Sequence, residues 1–253
     1  QAVEAVATNL RVQNDQIRAF EWTRTFHPDA SAKNGVCVEV ERLWLVANGV
    51  ERPEAWSGRG RSLDAHFLAG LVEEIGHLLG LDLAVAPRDP SHPLSSLLHP
   101  GRQAAITLGG RTVGALGEVH PTVLDGFKIK RERPVYLEIE ATALLGARRR
   151  VAYAEPPDMP PVERNLAFSL PHGVTGASVV EALRGAGVAS LGSVGIVDRF
   201  DHELDGRPVR TLTFALSFSQ AGGSFTTEQL NAALEQLVAA VHGRLGDAGV
   251  RLR

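Results

Sequence analysis

Three histidines stand directly before prolines, at His92-Pro93, His99-Pro100 and His120-Pro121. Imidazole is a common metal ligand. A zinc site, however, needs ligands clustered at set spacings and oriented by further hydrogen bonds. These three lack such spacing, and the prolines predict turns in which the histidines are structural or at the surface. His66 and His77 fall off the apolar stripe of a predicted helix and are expected in solvent. Glu118 and His120 share one face of any strand through them. That would suit an acid–base pair, but mutual hydrogen bonding at a strand end is the simpler expectation. Ser169, Ser217 and Ser219 have no His and Asp at the spacing of an acyl-transfer triad. Gly109-Gly110 and Gly222-Gly223 read as single turns, not phosphate loops. Arg148-Arg149-Arg150 would suit a phosphate, yet beside a proline-rich stretch an exposed solvating run is expected. Cys37, the only cysteine, lies in the alternating segment 36–40 and reads as a small buried apolar residue, not a nucleophile. Neither a catalytic constellation nor a metal site is expected.

The elements that would position a binding site are clearest in residues 161–253. A strand begins after Pro161, and Thr175 is placed to cap a helix bearing Val179, Val180, Leu183 and Ala186. Gly185 and Gly187 should end it. Strands over 194–200 and 209–218 follow, joined by a charged turn at 201–208. Thr226 and Gln229 form a capping box before the stripe Leu230, Leu234, Leu237, Val238, Val241 and Leu245. A short strand at 250–252 closes the chain. Strand, helix, strand, strand, helix, strand is the ferredoxin-like βαββαβ order.

Upstream, a helix is predicted over 2–14, a strand from Ile17 to His27-Pro28, and two further strands at 36–40 and 43–48. After a loop at 49–62 comes a helix with Phe67, Leu68, Leu71, Ile75, Leu78 and Leu79 on one side, stopping at Gly80. Segments 102–108 and 111–118 read as a hairpin turning at Gly109-Gly110. A short helix at 122–127 and a strand at 135–139 complete an α+β domain of mostly antiparallel strands. Four prolines between Pro156 and Pro161 make 146–160 an extended linker.

At 253 residues, 44% apolar and 22% charged, the composition is that of a soluble globular chain of one or two domains. There is no run of eighteen apolar residues to span a membrane. The start, Gln1-Ala2-Val3-Glu4, has neither a signal-peptide pattern nor a Met, which reads as a fragment of a longer chain. One cysteine excludes an internal disulfide framework and fits a reducing cytosol. The net charge is −3, and from Val151 onward 8 Lys and Arg face 11 Asp and Glu. A non-specific nucleic-acid binder is normally basic. Any RNA contact must therefore use a small shaped patch, with further affinity from a larger assembly.

Arg164-Asn165-Leu166-Ala167, then 197–201, 210–218 and 225–231, keep an order and spacing that resemble the ferredoxin-fold anticodon-binding domain closing the β subunit of bacterial phenylalanyl-tRNA synthetase. Leu98-His99-Pro100-Gly101-Arg102 and Gly114-Ala115-Leu116-Gly117-Glu118 resemble signatures of the catalytic-like domain before it. Arg18-Ala19-Phe20-Glu21 stands where class II synthetases have their second motif, here degenerate. The resemblance implies a truncated class II synthetase-like domain over 1–145, the linker over 146–160 and an anticodon-binding domain over 161–253. It implies a cytoplasmic heterotetramer of two α and two β chains that joins phenylalanine to its tRNA with ATP and Mg2+. The chemistry would lie on the α subunit. This chain alone is then expected to be inactive and without a cofactor, its partners being the α subunit and tRNA(Phe). No glycine-rich, Arg-containing helix start follows Glu118 to hold ATP phosphates.

In that family an Asp and, two residues on, a Tyr close the second strand, a Ser opens the third, and these serve the first anticodon base. The positions fall here on Asp198, Phe200 and Thr211, while Arg164 matches the family's Arg and Asn165 replaces its usual Asp. Phe200 keeps the stacking face and loses the hydroxyl; Thr211 keeps the hydroxyl and adds a methyl. Bases of single strands are read by stacking and by hydrogen bonds to their edges. Asp201, Glu203 and Asp205 in the next turn are expected to repel phosphates. The residues alone leave a plainer reading open, with Asp198 and Thr211 bracing strand ends and Phe200 in the core. They also leave open a scaffold that pairs through its sheets, and a small-molecule binder on the ferredoxin-like domain.

Overall fold

In the computed structural model, which describes residues 1–29, 36–147, 159–204, 206–220 and 224–253, the chain divides into two units, Gln1–Ala152 and Tyr153–Arg253. The run Arg148-Arg149-Arg150, most of the expected linker, Asp205 and Gly222-Gly223 lie outside the described residues.

The first unit opens with α1 (Ala2–Arg11), which is shorter than the predicted 2–14 because Gln13 takes a left-handed φ of 62°. The strands β1 (Ile17–Pro28) and β2 (Cys37–Asn48) then pair along their full lengths. Segments 36–40 and 43–48 are thus one strand and not two. The charged residues that interrupt the apolar pattern stay in the ladder, with Glu41 held by Arg24 at 3.3 Å. The loop at 49–62 contains a small hairpin, β3 (Val50–Arg52) with β4 (Arg61–Ser62). Helix α2 (Ala65–Leu79) starts where the Asp64 carboxylate accepts from the His66 and Phe67 N–H groups, and ends on Gly80 at φ 63°. Strand β5 (Leu83–Ala86), unforeseen in the sequence, pairs with β6 (Leu98–Leu108). The hairpin to β7 (Arg111–Val119) turns through Gly109 and Gly110, both at positive φ. Helix α3 (Pro121–Gly126), strand β8 (Val135–Glu140) and a second unforeseen element, helix α4 (Ala141–Ala147), complete the unit.

The six strands run β1-β2-β8-β7-β6-β5. Leu68 and Val72 of α2 pack with Ile106, Leu116, Leu137 and Ile139 in one hydrophobic cluster. Val6 and Ala7 of α1 pack with Val46, Val119 and Leu124 in another. Gly117 permits the close approach of β6 and β7, because a Cβ there would lie 2.6 Å from the Arg102 carbonyl oxygen.

In the second unit, β9 (Val162–Pro171), α5 (Gly176–Arg184), β10 (Leu191–Leu204), β11 (Arg207–Phe218), α6 (Thr227–Leu245) and β12 (Arg251–Leu252) follow in order. Their sheet runs β10-β11-β9-β12, the ferredoxin-like arrangement. Thr175 caps α5, and both hydrogen bonds of the Thr226–Gln229 capping box start α6. Phe168, Leu170, Leu212, Phe214, Leu216 and Phe218 line one sheet face, with Val179, Leu183, Leu230, Leu237 and Val241 of the two helices in the same core. The charged segment 201–208 is not a loose turn. Its residues continue the ladder from Asp201↔Arg210 to Leu204↔Arg207.

Candidate nucleic-acid interface

The three His-Pro histidines and Glu118 are occupied locally. In each His-Pro pair the imidazole Nδ1 accepts from the backbone N–H two residues on: His92 from Leu94 at 3.4 Å, His99 from Gly101 at 3.1 Å, His120 from Thr122 at 3.2 Å. His120 thereby caps α3. The expected bond between Glu118 and His120 is absent, because Glu118 takes Arg102 across the hairpin at 2.9 Å. Cys37 is half-buried opposite Pro28. No three His, Cys, Asp or Glu side chains among the described residues group as metal ligands.

The face of the second unit's sheet opposite α5 and α6 is built differently. Along β10, Val194 and Ile196 pair with Leu216 and Phe214, so they point with those residues toward the helices. The register then shifts by one residue, and Asp198 pairs with Thr213 and Phe200 with Thr211. This bulge at Val197 turns Asp198, Phe200 and His202 onto the open face. Without it, strict alternation from Ile196 would bury Phe200 against the core. Instead the ring is 54% exposed, which rules out the reading of Phe200 as core.

Around Phe200 the open face carries a defined set of groups. The His202 ring stacks on it with centroids 5.3 Å apart and planes 22° from parallel. The Arg253 guanidinium reaches over it at 5.9 Å from the centroid. β12 brings Arg253 there: Arg251 pairs with Ser169, and the Arg253 N–H donates to the Ala167 carbonyl at 2.9 Å. The Asp198 carboxylate is exposed and accepts from the Arg199 N–H at 2.8 Å. Thr211, directly opposite Phe200, is buried, its hydroxyl 3.2 Å from that of Ser169. It therefore braces the sheet next to the ring and does not present its hydroxyl to solvent. Arg164 does not join these three. It pairs with Leu216 on the helix side of the alternation, and its guanidinium donates to the neighbouring Glu163 carbonyl.

The acidic segment after Phe200 also needs correction. Asp201 faces the helix side, opposite Arg210, where its carboxylate accepts from Arg199 at 2.6 Å and 2.9 Å and from Arg210 at 3.2 Å. The Arg199 hydrogen bonds hold its carboxyl below the usual carboxylate range. Glu203 shares that side, opposite Pro208. At Asp201 and Glu203 the expected repulsion of phosphates is thus directed away from the open face, and at Asp201 it is neutralised. On the open face Arg251 and Arg253 are matched by Asp198 and, further along β9, by Glu163, so this side of an acidic unit is near neutral, with its two cations gathered on β12. Sequence reasoning passed over His202, Arg251 and Arg253. Two arginines alternating around Leu252 were the available signal, but their side was undefined until β12 found β9.

An open sheet face with an exposed ring, a cation above it and polar groups beside it is a surface of the kind on which single-stranded bases stack, here on a ferredoxin-like domain. Residues 157–252 match the family of ferredoxin-fold anticodon binding domains, and residues 1–141 match that of the phenylalanyl tRNA synthetase beta chain CLM domain. The chain belongs to the phenylalanyl-tRNA synthetase β chain family. It is 26% identical over 239 residues to the phenylalanine–tRNA ligase β subunit of Shouchella clausii, and 26% identical over 238 residues to that of Thermotoga maritima. Those alignments cover 94% and 93% of this chain and 29% of each relative. The chain thus spans under a third of the length of the relatives it matches.

Proposed function

We propose that this chain is the non-catalytic, anticodon-reading part of a phenylalanine–tRNA ligase β subunit, acting in translation in the cytoplasm. Its second unit binds the anticodon of tRNA(Phe), and its first unit supports the α subunit in a heterotetramer of two α and two β chains. The observation that carries the reading is the placement of Asp198, Phe200 and Arg253 on one uncovered sheet face. Phe200 offers a stacking surface to the first anticodon base, and Asp198 an acceptor for donors on its edge. Arg251 and Arg253 engage the backbone. Thr211 holds the strand under Phe200. The match over 157–252 supports RNA reading over a scaffold without it.

The first unit supports the division of labour. Along β1, Phe20, Trp22 and Phe26 alternate onto one face and are all exposed, an apolar strip of the kind that marks a protein interface; we assign it to the α subunit. Arg18 shares that face and donates to the Val50 carbonyl at 2.9 Å. An apolar strip and an engaged arginine do not fit the phosphates of ATP or its Mg2+, so the activation step belongs to the partner.

The test is binding of an anticodon stem-loop RNA to the chain, with the first anticodon base native or changed, at two salt concentrations. Discrimination of roughly 1 kcal/mol or more is expected from one read base. Equal affinity for both RNAs would overturn base reading. Phenylalanine-dependent ATP–pyrophosphate exchange by the pure chain would overturn the assignment of chemistry to the partner.

A further inference from the structure

Phe200 offers a base a π-face but carries no polar atom, so it stacks every base alike. The one ring stacked on it is His202, centroid to centroid at 5.3 Å. His202 lies two residues further along β10, on the same side of the strand after the bulge. It is half-buried, and its Nδ1 is fully buried with no hydrogen-bond partner among the described residues. A buried donor without an acceptor is costlier than a hidden lone pair. The favoured tautomer therefore leaves Nδ1 bare and carries the proton on Nε2.

We propose that His202 is a specificity-determining residue of the base-reading face. Its ring, stacked against one edge of Phe200, stands beside the base that stacks there, and its in-plane Nε2–H donates to an acceptor on the edge of that base. This rests on the anticodon-binding reading above. The ligand class is a purine with an acceptor on its major-groove edge. For guanine, the first base of an anticodon that reads UUU and UUC, these acceptors are O6 and N7. Asp198, across the same strand face, takes the complementary part of accepting from the base. One base is thereby offered an aromatic face, a donor and an acceptor from three residues of a single strand.

The test uses stem-loop RNAs whose first anticodon base is guanine, 7-deazaguanine (without N7) or 6-thioguanine (a weakly accepting sulfur in place of O6, with N1–H kept). They are bound to the chain and to its His202→Phe and Phe200→Ala variants, with thermal melting run on each protein. For the unmodified protein, one of the two analogues should bind about 3- to 10-fold more weakly than guanine, the scale of one hydrogen bond. His202→Phe keeps a ring beside Phe200 and should lose a similar factor for guanine while no longer distinguishing that analogue. Identical ratios across the three RNAs in the unmodified protein and His202→Phe would overturn the proposal. So would equal binding of all three by the unmodified protein, a result that needs no variant to fold. If Phe200→Ala alone weakens binding, base stacking stands and the role of His202 falls. If neither variant weakens it, the anticodon-binding reading itself fails.

Discussion

Replacing Phe200 with Ala separates binding from folding. The ring is 54% exposed, so only about half of the roughly 1.5–3 kcal/mol that burial of a Phe side chain is worth is at stake, on the order of 1 kcal/mol. No closed cavity forms, because the ring stands on the open face. The second unit should stay folded, with a fall in Tm of several degrees. Binding should suffer more. Base–aromatic stacking contributes about 1–3 kcal/mol per base, a loss of roughly 5- to 150-fold in Kd. Phe214→Ala is the contrasting variant. That ring is fully buried and packs edge-on against Phe168 at 6.0 Å, so about 3–5 kcal/mol of stability should be lost through the cavity left behind. Fluorescence anisotropy with a labelled anticodon stem-loop, run beside thermal melting, measures both quantities. Phe200→Ala binding within twofold of the unmodified chain, in a unit that still melts cooperatively, would show that the exposed ring stacks no base.

Other outcomes follow from the same geometry. Arg251→Gln and Arg253→Gln should each reduce the slope of log affinity against log salt by about 0.7, the value of one single-strand phosphate contact. An unchanged slope would remove that arginine from the backbone. Thr226→Ala breaks the capping box of α6 and should cost about 0.5–2 kcal/mol, read by denaturant unfolding; no change would mean the helix start is held elsewhere. Gly117→Ala sets a Cβ 2.6 Å from the Arg102 carbonyl oxygen and should destabilise the β6–β7 hairpin, seen as faster amide exchange there. In the first unit, burial, and then the charge of Glu138 at the end of a 2.7 Å hydrogen bond, push the Tyr136 phenol well above its usual 10.0. A raised folded-state pKa contributes fully below the unfolded value and is lost as pH climbs beyond it. Unfolding free energy should therefore fall above pH ~10, and fall less steeply in Tyr136→Phe; equal slopes would refute the coupling.

Local chemistry carried much of this structure into view from the residues alone. The caps at Thr175 and Thr226, the Gly109-Gly110 turn and the stripe from Leu230 to Leu245 each depend on neighbours within about one helical turn or one hairpin, so spacing suffices to read them. The positions of the matching motifs likewise led to the domain order and to Asp198 and Phe200. What spacing cannot show is which side of a sheet a residue takes, because that depends on register with a distant strand. One extra residue at Val197 decides that Phe200 is exposed on the open face and not a core ring. The pairing of β12 with β9, some eighty residues away in sequence, brings Arg253 over that ring. Alternation alone could not place Asp201, which the ladder sets between Arg199 and Arg210 on the far side. Sequence thus determined most of the helices and strands and the family resemblance, while tertiary pairing decided which side chains share a face.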